Sequence, residues 1–132
     1  MDLPEASDLP LSSLTAISPL DGRYGGQVKG LRGYFSEWAL MRYRVLVEVR
    51  WLLQLSELEA VREVPAFSES GRRELNAAAT EFGEAEGVKV KEVERITNHD
   101  VKAIEYVLKE RFKDHPEVSK VSICVAIRDS WR

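Results

Sequence analysis

The sequence predicts an all-α fold, and three observations carry that prediction. Of the 24 residues between positions 35 and 58, 15 are apolar, a run too long for a strand, since strands seldom exceed about ten residues. Leu75, Ala78, Ala79 and Phe82, and then Val101, Ile104, Leu108 and Phe112, recur at the three- and four-residue steps of a helix face. Ser68 and Thr97 stand where helix N-caps are expected.

Taken in order, residues 1–18 are polar, carry Pro4 and Pro10 and show no sustained period, so they read as an extended arm. Pro19-Leu20-Asp21-Gly22-Arg23-Tyr24-Gly25-Gly26 is a turn cluster, because proline fixes its own φ and glycine tolerates positive φ. A long helix is expected over residues 33–59. Only Glu37, Arg44 and Glu48 mark a clear polar stripe on it, and a helix apolar nearly all round is a buried one. The other hundred or so residues are too few to cover it on every side, so it packs on another subunit or part of its own fold is missing. Pro65 breaks a loop over 63–67, and Ser68 caps a helix running to about Phe82. Gly83 and Gly87 punctuate the chain before a helix over 88–96 that should turn Val93 and Ile96 inward. Thr97, with Asp100 three positions on, has the form of a capping box opening the helix of Val101 to Phe112, which His115-Pro116 ends.

Length and charge narrow the function. The 132 residues suit one domain. With 19 Lys and Arg against 22 Asp and Glu the net charge is −3, which gives no footprint for nucleic acid or an anionic membrane. The single cysteine, Cys124, excludes an internal disulfide and a cysteine-rich zinc site. No Lys or Arg precedes Arg23, so a secretory or transit signal is not expected, and the most apolar stretch is interrupted by Arg44, Glu48, Arg50 and Glu57. A soluble, cytoplasmic protein is expected.

Two constellations carry chemistry. An arginine on a Gly-rich turn, such as Arg23 beside Tyr24, presents a planar guanidinium to a phosphate with a hydroxyl donor nearby. The spacing matches neither G-x-G-x-x-G nor a P-loop, and a plain turn with a solvated arginine is the simpler local reading. Asn98-His99-Asp100 is the second. A helix N-terminus attracts anions, and a histidine there can bind a carboxylate or phosphate or exchange a proton. Plain capping by Asn98 and Asp100 is the simpler alternative. His115 reads as a solvated residue at a helix end, and the two histidines lack zinc spacing. Glu92, Glu94 and Glu105 read as solvated helix faces. Arg42, Arg44 and Arg50 flank the long helix or pair with Glu48, and Cys124 has no neighbouring histidine to activate it.

The segment Ser12-Ser13-Leu14-Thr15-Ala16-Ile17-Ser18-Pro19-Leu20-Asp21-Gly22-Arg23-Tyr24 resembles the start of the adenylosuccinate lyase family. Phe35-Ser36-Glu37, Arg44-Val45, Val47-Glu48-Val49-Arg50-Trp51-Leu52 and Glu63-Val64-Pro65-Ala66-Phe67 continue the resemblance. Glu94-Arg95-Ile96-Thr97-Asn98-His99-Asp100-Val101-Lys102-Ala103-Ile104-Glu105-Tyr106 is its strongest part, and together these segments span about residues 11–122 in order. The resemblance implies the N-terminal helical domain (19–122) of a fumarase/aspartase-type lyase without its central helical bundle. It further implies β-elimination of fumarate from adenylosuccinate, giving AMP, and from the succinyl-carboxamide intermediate of purine synthesis. No metal or organic cofactor is implied; a purine nucleotide substrate and homotetrameric assembly are. By the same resemblance Arg23 and Tyr24 bind the nucleotide phosphate. Asn98, His99 and Asp100 line the nucleotide site, with His99 assisting binding or catalysis.

Beyond Ser122 the family runs toward a Thr-Ser-Glu-Asp motif, whereas this sequence reads Ile123-Cys124-Val125-Ala126-Ile127-Arg128-Asp129-Ser130-Trp131-Arg132, a divergent tail over 123–132. The Thr-His-Gly and Gly-Ser-Ser motifs that bring the family's acid and base are absent from these residues. The chain alone is therefore expected to be inactive. The alternative is a noncatalytic helical fragment that docks on itself or on full-length lyase subunits, or has no function.

Overall fold

The computed structural model describes Ser12 and residues 14–120, and every described element is helical. The expected arm over 1–18 and the tail over 123–132 fall largely or wholly outside those residues. The chain divides into two compact units, one ending at Ser36 and one beginning at Glu37.

In the first unit, a chain of turns precedes a 3-10 turn at Lys29–Leu31 and the one-turn helix α1, Arg32–Phe35. The turn cluster closes on itself: the Tyr24 amide donates to the Pro19 carbonyl at 2.8 Å and the Gly25 amide to the Gly22 carbonyl at 3.0 Å. Gly25 is buried there, and a Cβ on it would stand 3.1 Å from the Asp21 carbonyl oxygen and 3.2 Å from that of Gly22. Both are backbone atoms, so a side chain here would force the turn to give by a few tenths of an ångström.

The long helix predicted over 33–59 is shorter and interrupted. α1 stops at Ser36, whose backbone is extended (φ −74°, ψ 163°) and whose hydroxyl donates to the Arg32 carbonyl at 2.6 Å. A serine that satisfies its hydroxyl on the preceding turn offers the chain an alternative to continuing the helix.

The second unit opens with α2, Glu37–Leu55. Buried Ser56 follows, its hydroxyl donating to the Leu53 carbonyl at 2.7 Å. Then come α3 (Glu69–Thr80), α4 (Glu84–Thr97), α5 (Asp100–Phe112) and α6 (Pro116–Lys120). α2 buries Ala39, Met41, Val45, Val49, Leu52 and Leu53. Its other side leaves Leu40, Val47 and Trp51 at 51%, 62% and 47% exposure, the uncovered apolar circumference that the sequence foretells. The core joins α2 to Leu75, Ala78 and Ala79 of α3, Val90 of α4, Ala103, Ile104, Leu108 and Phe112 of α5, and Val118 of α6.

The helix of residues 68–82 starts as predicted. Ser68 Oγ accepts the Gly71 amide at 3.1 Å. Glu117 of α6 adds a second clasp, accepting the Ser68 amide at 2.9 Å and its hydroxyl at 2.7 Å. These hydrogen bonds hold the Glu117 carboxyl below the ordinary carboxylate range. Ser68→Ala removes both the cap and one arm of that clasp, and is expected to cost about 1–2 kcal/mol. A urea melt reads it; a midpoint shared with the parent chain would show the clasp idle.

α4 departs from expectation at both ends. It begins at Glu84 and runs through Gly87, which the sequence suggests as punctuation. Here the glycine serves packing, since a Cβ on it would meet Trp38 Cδ1 at 3.1 Å. The inward line follows Gly87, Val90 and the half-buried Glu94, with Val93 packed at its edge. Ile96 lies about 200° around the helix from Glu94 and is 83% exposed, so it does not turn inward. Glu105 is the opposite correction: it is buried, at 3% exposure, with the Lys102 and Lys109 ammonium groups each 2.6 Å from its oxygens.

Candidate functional site

α4 and α5 meet through two residues. Asn98 closes α4 in the left-handed region, φ 51° and ψ 31°, a conformation that asparagine tolerates better than other residues with a side chain. His99 is then the N-cap of α5, its Nδ1 accepting the Lys102 amide at 3.2 Å. This corrects the expected cap. Thr97 is the last residue of α4, and no side-chain box from Thr97 opens α5.

The capping bond fixes the chemistry of His99. A ring nitrogen that accepts from an amide carries no proton, so the neutral imidazole bears its hydrogen on Nε2. The ring is 63% exposed, which leaves Nε2–H available as a donor. Asp100, the first residue of α5, accepts the Val101 amide on Oδ1 at 2.8 Å and Arg44 Nη1 of α2 on Oδ2. The Arg44 bond, and after it the Val101 amide, holds the Asp100 carboxyl below its ordinary range. A carboxyl depressed in the fold stabilises it above the unfolded-state value, and that contribution is lost as pH falls through the folded one.

The first turn of α5 is consequently not the open anion site suggested by a bare helix N-terminus. The Val101 and Lys102 amides are already taken by Asp100 and His99. His99, whose Nε2 is not used by the cap, and Asn98 are both exposed. They line a cavity of about 330 Å³ between α2, α4 and α5, with Glu37, Leu40, Met41, Arg44, Val90, Glu94, Asp100 and Ile104 completing its wall. Sequence spacing did not show Arg44 here. It was expected to flank α2 or pair with Glu48, yet it binds a carboxylate 56 positions away. Arg42 lies instead over the Trp38 and Tyr43 rings, each at 5.5 Å.

Arg23 and Tyr24 belong to the first unit. Both are exposed, and the Arg23 guanidinium stands 5.5 Å from the Tyr24 ring centroid. Among the described residues no group of three or more His, Cys, Asp or Glu side chains is placed to hold a metal ion, and no helix is long and apolar enough to cross a membrane.

No protein-family model matches the chain. Comparison with individual proteins is decisive: 114 residues, 86% of the chain, are 52% identical to adenylosuccinate lyase of Escherichia coli strain K12. The chain is homologous to adenylosuccinate lyase. The same enzyme of Legionella pneumophila strain Corby is 43% identical over 118 residues, and that of Dictyostelium discoideum 42% identical over 116. In each case the match covers 25% of the relative, so the chain spans about a quarter of the length of the adenylosuccinate lyases it matches.

Proposed function

We propose that this chain is the N-terminal, nucleotide-contacting portion of an adenylosuccinate lyase of purine biosynthesis. In this reading Arg23 and Tyr24 take the nucleotide phosphate, and Asn98, His99 and Asp100 line the nucleotide site. The complete enzyme removes fumarate by elimination: a base takes a proton beside a carboxylate while an acid protonates the departing nitrogen. His99 contributes a neutral Nε2–H that orients substrate or shares a proton. Asp100, ionised and held by Arg44, shapes the first turn of α5. Assembly is homotetrameric and cytoplasmic, with no cofactor. The observation that supports this reading best is the cavity of α2, α4 and α5, which Asn98, His99 and Asp100 line together in a chain homologous to these enzymes.

AMP tests it. Millimolar AMP added to the labelled chain is expected to move the resonances of Tyr24 and His99. Arg23→Ala, which removes a charge-assisted pair, should weaken that binding by about 1.5–3 kcal/mol. Unmoved resonances at both residues would refute the assignment of the site.

A second reading, a noncatalytic module that docks on itself or on full-length subunits, is favoured by the exposed Leu40, Val47 and Trp51 of α2. Sedimentation of the chain with and without a full-length lyase separates the two.

A further inference from the structure

The contacts around His99 set up a competition that one arginine decides. Nδ1 of His99 lies 3.2 Å from the Lys102 amide and 3.8 Å from Asp100 Oδ1. The first neighbour is a donor and requires a bare Nδ1. The second is an acceptor and favours a proton there. A carboxylate free to turn toward the ring would draw the hydrogen onto Nδ1, as acidic partners of histidine do. That would take the cap from Lys102 and leave Nε2 an acceptor instead of a donor.

Asp100 is not free to turn. Its Oδ2 is bound to Arg44 Nη1 and its Oδ1 to the Val101 amide. Arg44 also neutralises the charge that would otherwise act on the ring. The other charged groups lining the cavity are Glu37 and Glu94, and both face Lys91, at 2.7 and 2.6 Å. Arg44 thus stands between Asp100 and His99 in energetic effect without touching the imidazole.

We propose that Arg44 is a positioning residue that sets the tautomer of His99: by occupying Asp100 it keeps the hydrogen on Nε2, so that His99 meets its ligand as a donor. The functional weight of this inference rests on the reading of His99 as a site residue, but its test does not require a nucleotide.

Long-range nitrogen–proton spectra of the labelled 132-residue chain, in alkaline buffer where imidazole is uncharged, report the tautomer directly. The parent chain should show the Nε2–H form. Arg44→Met should move at least half of the population to Nδ1–H and speed Lys102 amide exchange by about fivefold, the loss expected for a missing cap. Arg44→Lys, which keeps the charge, should retain the parent form. The double variant Arg44→Met with Asp100→Asn should return to Nε2–H, because the competing carboxylate is gone. A purely structural role for Arg44 predicts no such restoration.

Protection of the Leu75 amide in α3 reports whether each variant folds. Should Arg44→Met fail that check, Arg44→Gln carries the same comparison with a partial shift expected. An unchanged tautomer in the folded single variant, or a double variant that fails to restore it, overturns the proposal. If AMP leaves the chain untouched while the tautomer follows Arg44, the nucleotide-site reading fails and the positioning role stands.

Discussion

Phe112→Ala is expected to strip the second unit of about 3–5 kcal/mol of stability. Phe112 closes α5, is 1% exposed and heads the largest fully buried side chains. It lies in the one cluster that joins α2, α3, α4, α5 and α6. Truncating a buried phenylalanine removes its transfer free energy and leaves a cavity that neighbours fill only in part, costing about 3–5 kcal/mol. A domain of this size holds on the order of 5–15 kcal/mol in all, and this one leaves Leu40, Val47 and Trp51 uncovered, so the loss is a large share of its reserve. Ile96→Ala is the matched control. At 83% exposure it should move stability by no more than about 0.5 kcal/mol. Urea melts followed by circular dichroism compare them, and equal midpoints for the two variants would mean that Phe112 does not anchor the core.

That pair of residues shows what the sequence revealed and what it withheld. Phe112 was legible because Val101, Ile104, Leu108 and Phe112 keep one helical period, and the last three of them pack in the core while Val101 stays half-buried outside it. Ile96 misled because Val93 and Ile96 are three apart in a short β-branched run, and no polar stripe fixed the rotation of α4. The deciding contact was Gly87 against Trp38, a tertiary approach that no local pattern encodes. The break at Ser36 was hidden for a related reason: composition reports that a stretch is apolar, whereas a single hydroxyl bonded to Arg32 decides where the helix stops. Asn98, His99 and Asp100 stood out as a group, but their division of labour did not. Local rules give the cap to Thr97, while the structure gives it to His99 and spends Asp100 on Arg44. An ion pair spanning 56 positions leaves no periodic trace, so Arg44 could not be distinguished from its arginine neighbours.

Given adenylosuccinate, the purified 132-residue chain is expected to release no fumarate. Elimination requires a base at the carbon and an acid at the departing nitrogen, each within hydrogen-bond reach of the same substrate. The chain has two histidines. His99 has a single free nitrogen, because Nδ1 caps α5. His115 receives the Val118 amide on its own Nδ1 at 3.4 Å, near the start of α6. Between them runs α5, whose 13 residues span about 20 Å at the helical rise, so the two rings cannot serve one carbon–nitrogen bond. Asp100 is a poor base, since Arg44 lowers its proton affinity. Burial pushes the Glu48 carboxyl up, but Glu48 does not line the cavity that holds His99. Groups that act as one unit fail together, so the loss of a partner costs orders of magnitude in rate and not a fraction. Ultraviolet absorbance follows the released fumarate. Turnover above the buffer background would place both an acid and a base within these 132 residues, and would return the search to side chains other than the two histidines.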